Sequence, residues 1–426
     1  MTGTAHRQEE IELAALSVFA PDSEADPAVT QARTARLREL DPMYWCAPLG
    51  MWLATGYEEC RRVLTDTATF LATDGEWHDI HQPGWRESRA AFQTYSIMAF
   101  QNPPAHTRLR HLVTRDFAMR RVQQMGPALE RAVAGVLDDL ADAGADAAPV
   151  NVVDVLSYPL AYSVISELLG LPPGDRELFE HLLDDILKLF DPHADAEVAA
   201  RADAAAWEAW HYTGRLVEQR RADPGEDLVS ALLAVSDTEP DRMTMDEVRL
   251  MVLQLLFAGY ETVTSSLSTG LMALLSDRAQ YDLLVRDPSA GPGAVEEILR
   301  WAAPVQMVRR YAARDTEVGT AHVPADSITM VMLGAANRDP AKFPEPDRFD
   351  VTRADGHGLA FGAGIHLCLG AALAGAELTV TLRQLAERFP RIALGGPVQW
   401  RPSIAVRTLW QVPVVLDGTA AVTSDR

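Results

Sequence analysis

Cysteine is scarce in this chain: three residues in 426, Cys46, Cys60 and Cys368. Three thiols cannot build a framework of paired disulfides, and none stands in a Cys-x-x-Cys metal pair. A reducing compartment fits, so the expected location is cytoplasmic. Positive charge is also short. Lys plus Arg number 38 against 60 Asp plus Glu, a formal net charge of -22, which argues against nucleic acid or an anionic membrane as a partner. No stretch reaches the roughly 20 apolar residues of a membrane span. The acidic opening from Met1 to Asp26 lacks a basic segment followed by an apolar run, so neither signal peptide nor anchor is expected. Hydrophobic residues still make up 48%, enough for a sizeable core.

Residues 1–30 read as a flexible N-terminal segment. Thr30 to Leu40 predicts a short amphipathic helix, Met51 to Thr55 a strand, and Tyr57 to Leu64 a helix. Thr73 to Ser96 is polar, aromatic-rich and without a clear period, a connection long enough to be functional or mobile. Asn102-Pro103-Pro104-Ala105-His106-Thr107-Arg108-Leu109-Arg110 starts a helix, with His106 and Arg110 at i and i+4 on one face and Asn102 expected to cap it. Arg108, Arg115, Arg120 and Arg121 make a basic cluster, either a solvated face or a landing site for an acidic partner. Gln123 to Ser236 is mostly helical by composition, broken at Gly144, Leu171-Pro172-Pro173-Gly174 and Asp223-Pro224-Gly225.

Thr244-Met245-Asp246-Glu247 is a capping box, followed by an unbroken helical run to about Ser276, on the order of 45 to 50 Å long. Leu250, Met251, Leu253, Leu255, Leu256 and Phe257 leave hardly any polar face, so its middle should be buried. Into that middle the sequence places Ala258-Gly259-Tyr260-Glu261-Thr262. Gly259 costs roughly 1 kcal/mol relative to Ala in a helix interior, and a buried acid beside a threonine needs partners or a function. In the bland alternative the Thr262 hydroxyl bonds back to the preceding turn and Glu261 reaches the surface.

Phe361-Gly362-Ala363-Gly364-Ile365-His366-Leu367-Cys368-Leu369-Gly370 is a glycine-punctuated loop that presents one cysteine and runs into a helical segment rich in Ala, Leu and Glu. Gly362 and Gly364 permit backbone conformations and close approaches that a Cβ forbids. Cys368 falls at a helix start, where unpaired N–H groups favour the thiolate. Alone, it is either such a reactive centre or an inert buried thiol.

That run resembles the haem-binding signature of the cytochrome P-450 monooxygenases, Phe-Gly-x-Gly-x-His-x-Cys-x-Gly, at every specified position. Ala258 to Thr262 matches the family's oxygen-binding Ala-Gly-x-Asp/Glu-Thr. Residues 102–110 are similar to Asp-Pro-Pro-x-His-Thr-x-x-Arg, with Asn102 in place of Asp. Glu297 and Arg300, with Pro346-Asp347-Arg348-Phe349, resemble Glu-x-x-Arg and Pro-x-Arg-Phe. The signatures stand in the family's order and span about Asp41 to Val415, which chance does not produce.

The resemblance implies a mainly α fold with small β-sheets, the cytochrome P-450 fold: a single domain over 31–426, with a helix-rich part and a smaller β-rich part. Haem b, iron protoporphyrin IX, would lie between the long central helix and the cysteine loop. Cys368 would be the axial iron ligand, screened by Phe361 and carried in the loop with Gly362 and Gly370. His106, Arg110, Arg310 and His366 would hold the propionates, although Arg309 beside Arg310 leaves that choice open. Ala258 and Gly259 would leave room for O2, Thr262 would hydrogen-bond it or a water, and Glu261 would relay protons. Glu297, Arg300 and Arg348 would form a buried structural triad. By position, Trp77, Trp85, Phe92, Leu255, Val305, Met307, Ser403 and Ile404 are substrate-pocket candidates, with His78 nearby, and His357 has no evident task.

The implied activity is insertion of one atom of O2 into a small or medium-sized apolar substrate, by hydroxylation or epoxidation. Electrons would come from a ferredoxin or flavodoxin with its reductase, since the chain carries no reductase segment. The acid and threonine pair favours O2 over peroxide. An Ala-, Arg- and Asp-rich composition fits a bacterial enzyme tailoring a natural product such as a polyketide or peptide. The alternatives are a terpenoid, fatty-acid or xenobiotic hydroxylase, or an inert partner protein of the same fold. Retention of Cys368 argues against the last, and no output domain fits for a gas sensor.

Overall fold

The computed structural model describes residues 2–20, 22, 26–188 and 195–417. Its centre is the helix Met245–Ser276, which starts at the capping box: the Thr244 hydroxyl accepts from the Glu247 amide, and the Glu247 carboxylate accepts from the Thr244 amide. Apolar on nearly all sides, this helix can only be stable if other helices cover it. The helices Tyr158–Leu169, Gly291–Ala302 and Ala371–Arg388 do so and share one large core with it. Among the described residues it is the one helix long and apolar enough to cross a membrane, and 72% of its apolar window is buried inside the protein.

The β-rich part is a five-stranded sheet in the order Met43–Cys46, Met51–Ala54, Ile328–Val331, Val308–Ala312, Phe70–Leu71. Its one parallel pair joins Met51–Ala54 to Ile328–Val331. Parallel strands need a long crossover, and here the crossover holds most of the helical part. The sheet therefore joins stretches that lie on either side of the long helix in the sequence.

Three expectations change. Residues Thr2–Val18 form a helix that buries Ile11, Ala15 and Val18 against Leu37, Tyr44 and Leu53; the acidic neighbours Glu9, Glu10 and Glu12 obscure that apolar stripe in the sequence. The connection 73–96 is mostly helical, with Gly75–His81 capped by Asp74 and Arg89–Ser96 capped by Ser88. Helices of about two turns are too short for a period to show. Asn102 does not cap the Ala105–Thr114 helix, whose N-cap is Pro104. Its amide instead bridges to the Ala72 backbone and to Asp74, pinning the start of that helix to the 73–96 segment.

Candidate functional site

The Phe361–Gly370 loop bends at Gly362 and Gly364, both with φ +69°, a region glycine enters without steric cost. Space is decisive at Gly364 as well: a Cβ there would land on the Leu64 carbonyl oxygen, so the loop lies on the end of the Tyr57–Thr65 helix. Gly370 has no such constraint and serves as N-cap of Ala371–Arg388. The bend returns Cys368 beneath Phe361, its amide donating to the Phe361 carbonyl at 2.9 Å. Burial pushes the Cys368 thiol above its ordinary pKa, while the Gly370 and Ala371 N–H groups and the Arg110 guanidinium favour the thiolate. The residue is enclosed by protein yet keeps accessible surface, so it faces an internal space.

Around this loop four donors gather without an acid. His106 is buried with both ring nitrogens unpartnered, and its ring lies 4.4 Å from that of His366. Burial, together with the neighbouring cations, holds His106 down to about 4 and His366 down to about 3. Burial likewise lowers Arg310 to about 10, and its guanidinium donates to the Arg309 carbonyl. Arg110 donates to the Leu367 carbonyl at 2.7 Å. Arg309 points elsewhere, to Thr73 and His78. Donors that repel one another and lack a carboxylate, two of them buried and two half-buried, suit a dianionic ligand. Among the described residues no cluster of three or more His, Cys, Asp or Glu could hold a metal, so an ion bound by Cys368 must bring its other ligands with it. A haem, with four ring nitrogens and two propionates, fits both requirements.

On the long helix, Ala258 is exposed although Leu255, Leu256, Tyr260 and Glu261 around it are buried, as expected of a small residue facing a ligand space. Gly259 serves packing: a Cβ there would come 3.1 Å from Ile165 of the Tyr158–Leu169 helix. The Thr262 hydroxyl donates to the Ala258 carbonyl at 2.6 Å, the bond back to the preceding turn. Its oxygen can still accept. Glu261 does not reach outward. It is buried, and the Arg401 guanidinium lies 3.3 Å from its carboxylate. Burial raises its pKa, Arg401 lowers it and Asp184 raises it further.

The family model described as cytochrome P450 matches residues 42–282 and 292–393. The chain belongs to the cytochrome P450 family. This P450 is 41% identical over 411 residues to 6-deoxyerythronolide B hydroxylase of Saccharopolyspora erythraea, covering 93% of this chain and 99% of that one. It is 37% identical to the cytochrome P450 monooxygenase PikC of Streptomyces venezuelae, over 94% and 93% of the two chains. The crystal structure of Mycobacterium smegmatis CYP164A2 superposes with a TM-score of 0.83 at 30% identity, covering 95% of this P450 and 100% of that chain. Membership makes this P450 a haem-thiolate oxidoreductase of the monooxygenase kind, working with O2, a redox partner and an organic substrate.

The buried triad is present but with a different third member. Glu297 and Arg300 pair at 2.7 Å with both side chains almost fully buried. The second guanidinium on Glu297 belongs to Arg353, 8% exposed, at 3.2 Å. Arg348 is 58% exposed and pairs with Glu345 and Asp350 at 3.5 and 3.4 Å; it contributes its backbone carbonyl to Arg300 and Arg353. The motif slot marks where the chain turns, and the turn delivers the arginine five residues later.

The substrate-pocket candidates scatter. Trp77, Trp85 and Phe92 join His78, Tyr95 and Trp210 in an aromatic cluster. Leu255 sits in the main core, and Ile404 packs with Tyr44, Leu53 and Met332, with Met307 against the same group. Val305 bridges to Val406. Ser403 lines a cleft of about 240 Å³ beside Glu261. Of the basic cluster, Arg108 is engaged with Glu247 and the Arg242 carbonyl, leaving Arg115, Arg120 and Arg121 exposed. His357 pairs with Glu296 at the surface. Sequence reasoning missed Arg353, Arg401 and Asp184, none of which carries a local signal that sets it apart from other charged residues.

Proposed function

We propose that this P450 binds haem b through Cys368 and inserts one oxygen atom into a small or medium-sized apolar natural product of the polyketide or peptide kind, by hydroxylation or epoxidation. The observation that carries this reading is Cys368 just before a helix start beside four acid-free donors, of which His106 and Arg310 are buried and Arg110 and His366 half-buried. The relatives named as acting on 6-deoxyerythronolide B and on mycinamicin IV support the substrate class. We read residues 31–426 as one P450 domain, with cytoplasmic residence following from the cysteine usage.

When bound, the haem iron supplies the place where O2 is reduced and an oxygen atom is transferred. The chain does the rest. His106, Arg110, Arg310 and His366 orient the propionates and neutralise them. The Gly370 and Ala371 N–H groups, with Arg110, stabilise charge on the sulfur, and Phe361 shields it from water. Ala258 leaves room on the opposite side. The Thr262 hydroxyl and the Glu261 carboxyl hold and pass protons. Electrons arrive from a ferredoxin or flavodoxin with its reductase, for which the exposed Arg115, Arg120 and Arg121 offer a basic landing face.

Reduced protein under carbon monoxide should show the absorption band of a thiolate-ligated haem, and Cys368→Ser should abolish it. A histidine-type spectrum would overturn the assignment. Macrolactones and cyclic peptides that displace the iron-bound water, read as a spectral shift, would identify the substrate class; a response to fatty acids alone would redirect it.

A further inference from the structure

The turn at 403–407 is fastened to the long helix and to 304–306. The Gln306 amide donates to the Ala405 carbonyl at 2.9 Å, Val305 bridges to Val406, and the Arg407 amide donates to the Pro304 carbonyl at 2.8 Å. The Arg407 carbonyl accepts from the Ser265 hydroxyl, about one helical turn beyond Thr262. Ser403 and Val406 line the cleft at Glu261. Whatever moves this turn therefore moves a wall beside the segment Ala258–Thr262.

The side chain of Arg407 is held from elsewhere. The residue is 5% exposed, its Nε has no hydrogen-bond partner, and among the described residues no carboxylate pairs with it. Burial, then the cation of Arg338, holds Arg407 down to about 9, against a pull from Asp26. Arg338 is buried too and also has an orphaned Nε, but it donates to Asp347 at 2.9 Å and to the Trp301 carbonyl at 3.0 Å. What joins the two guanidiniums is neutral. With its oxygen facing them, the amide of Gln31, on the helix Pro27–Leu40, accepts from Arg338 at 3.0 Å and from Arg407 at 3.2 Å. A buried cation is costly to leave without an acceptor. Arg338 has other acceptors, whereas among the described residues the guanidinium of Arg407 has only Gln31. The N-terminal helices also seat the turn by apolar contact, since Ile404 packs in one group with Ile11, Ala15, Val18 and Leu37.

We propose that Gln31 is a positioning residue for substrate selection: through Arg407 it holds the 403–407 turn against the long helix, and so fixes the space beside Ala258–Thr262. The two N-terminal helices, far from that space in the sequence, thereby set its width. Gln31 acts by geometry alone. Its carbonyl is the point to which the Arg407 guanidinium must reach, and the main chain of Arg407 is the end of the wall. The inference rests on the monooxygenase reading for the use of that space, and on the structure alone for the hold on Arg407.

The test uses the haem-loaded full chain and two iron ligands, imidazole and phenylimidazole, titrated by the shift of the haem absorption band. Imidazole is small enough to ignore the wall; phenylimidazole must rest on it. Gln31→Leu should weaken phenylimidazole binding by about threefold to tenfold, the reach of one hydrogen bond, and leave imidazole binding unchanged. Gln31→Glu supplies a carboxylate between the two guanidiniums, so it should keep wild-type phenylimidazole binding and raise the urea midpoint. Arg36→Gln, at an exposed pair on the same helix, should move neither ligand. Unchanged phenylimidazole binding in Gln31→Leu, parallel weakening of both ligands, or a Gln31→Glu protein no more resistant to urea than wild type would overturn the inference. Absence of the thiolate-haem band in the wild type would overturn the monooxygenase reading instead, and the urea arm would still decide whether Gln31 holds Arg407.

Discussion

Glu377 offers a test of how strongly this core resists charge. It lies in the Ala371–Arg388 helix at 2% exposure, one carboxylate oxygen has no hydrogen-bond partner, and burial alone pushes its pKa up to about 8. From the ordinary 4.5, the folded protein keeps this proton over a range in which the unfolded chain has lost it. The raised pKa means that the contribution to stability is complete below about pH 4.5 and drains away as pH rises to about 8. At roughly 1.4 kcal/mol per unit, the loss is about 3 kcal/mol by pH 7 and about 4 by pH 8. Glu377→Gln keeps the shape and removes the titration. Urea unfolding at pH 5, 7 and 8 should show the variant within about 1 kcal/mol of its pH 5 offset to wild type at that pH, then gaining on wild type by about those amounts. Parallel stability curves for the two proteins would refute the reasoning, since a constant offset reports only packing.

The two arginines of the Glu297 network should separate cleanly. Arg353→Met leaves a buried charge short of a partner and should cost about 3 to 5 kcal/mol, whereas Arg348→Met, at an exposed pair, should cost under about 1; equal losses in urea unfolding would restore Arg348 to the triad. Gly364→Ala must lift the cysteine loop off Leu64 and also hold a strained φ, on the order of 1 to 2 kcal/mol before any clash. It should therefore reduce the fraction of protein showing the thiolate-haem band, while Gly370→Ala should not, and equal damage from both would refute the assignment of the constraint. Thr244→Ala should remove about 1 kcal/mol from the long helix's cap, measurable by denaturation and absent if the cap is redundant.

Much of this was readable because the decisive features are local. A capping box, an apolar helix and a cysteine between glycines each have their cause within a few residues, and all three stand where the sequence places them. Donors such as His106 and Arg310 could be named from their motifs, but only the fold shows them buried together without an acid. What stayed hidden depends on distant contacts. Nothing near Arg353 says that its guanidinium, and not that of Arg348, will be carried under Glu297. Nothing near Arg401 says that it meets an acid 140 residues earlier in the chain. Gly259 has a packing role that its motif did not show: a Cβ there would press on Ile165 of a distant helix.

The seat of the cysteine loop has one more consequence. Gly364 rests on Leu64, and the Leu359 amide just before the loop donates to Asn337 at 2.6 Å; Asn337 in turn gives its carbonyl to Arg300. The aromatic cluster of 75–96 and the Arg401–Asp184 pair touch none of these residues through the contacts described. The cysteine loop thus rests on the Tyr57–Thr65 helix and on the network around Arg300, while Arg110 on Leu367 and Asn102 on Asp74 link it to the 73–96 segment. On the proposed reading, substitutions in the aromatic cluster that leave Asp74, Asn102 and Arg110 in place should change which molecule is admitted while the thiolate keeps its seat, and a search for new substrates should start there.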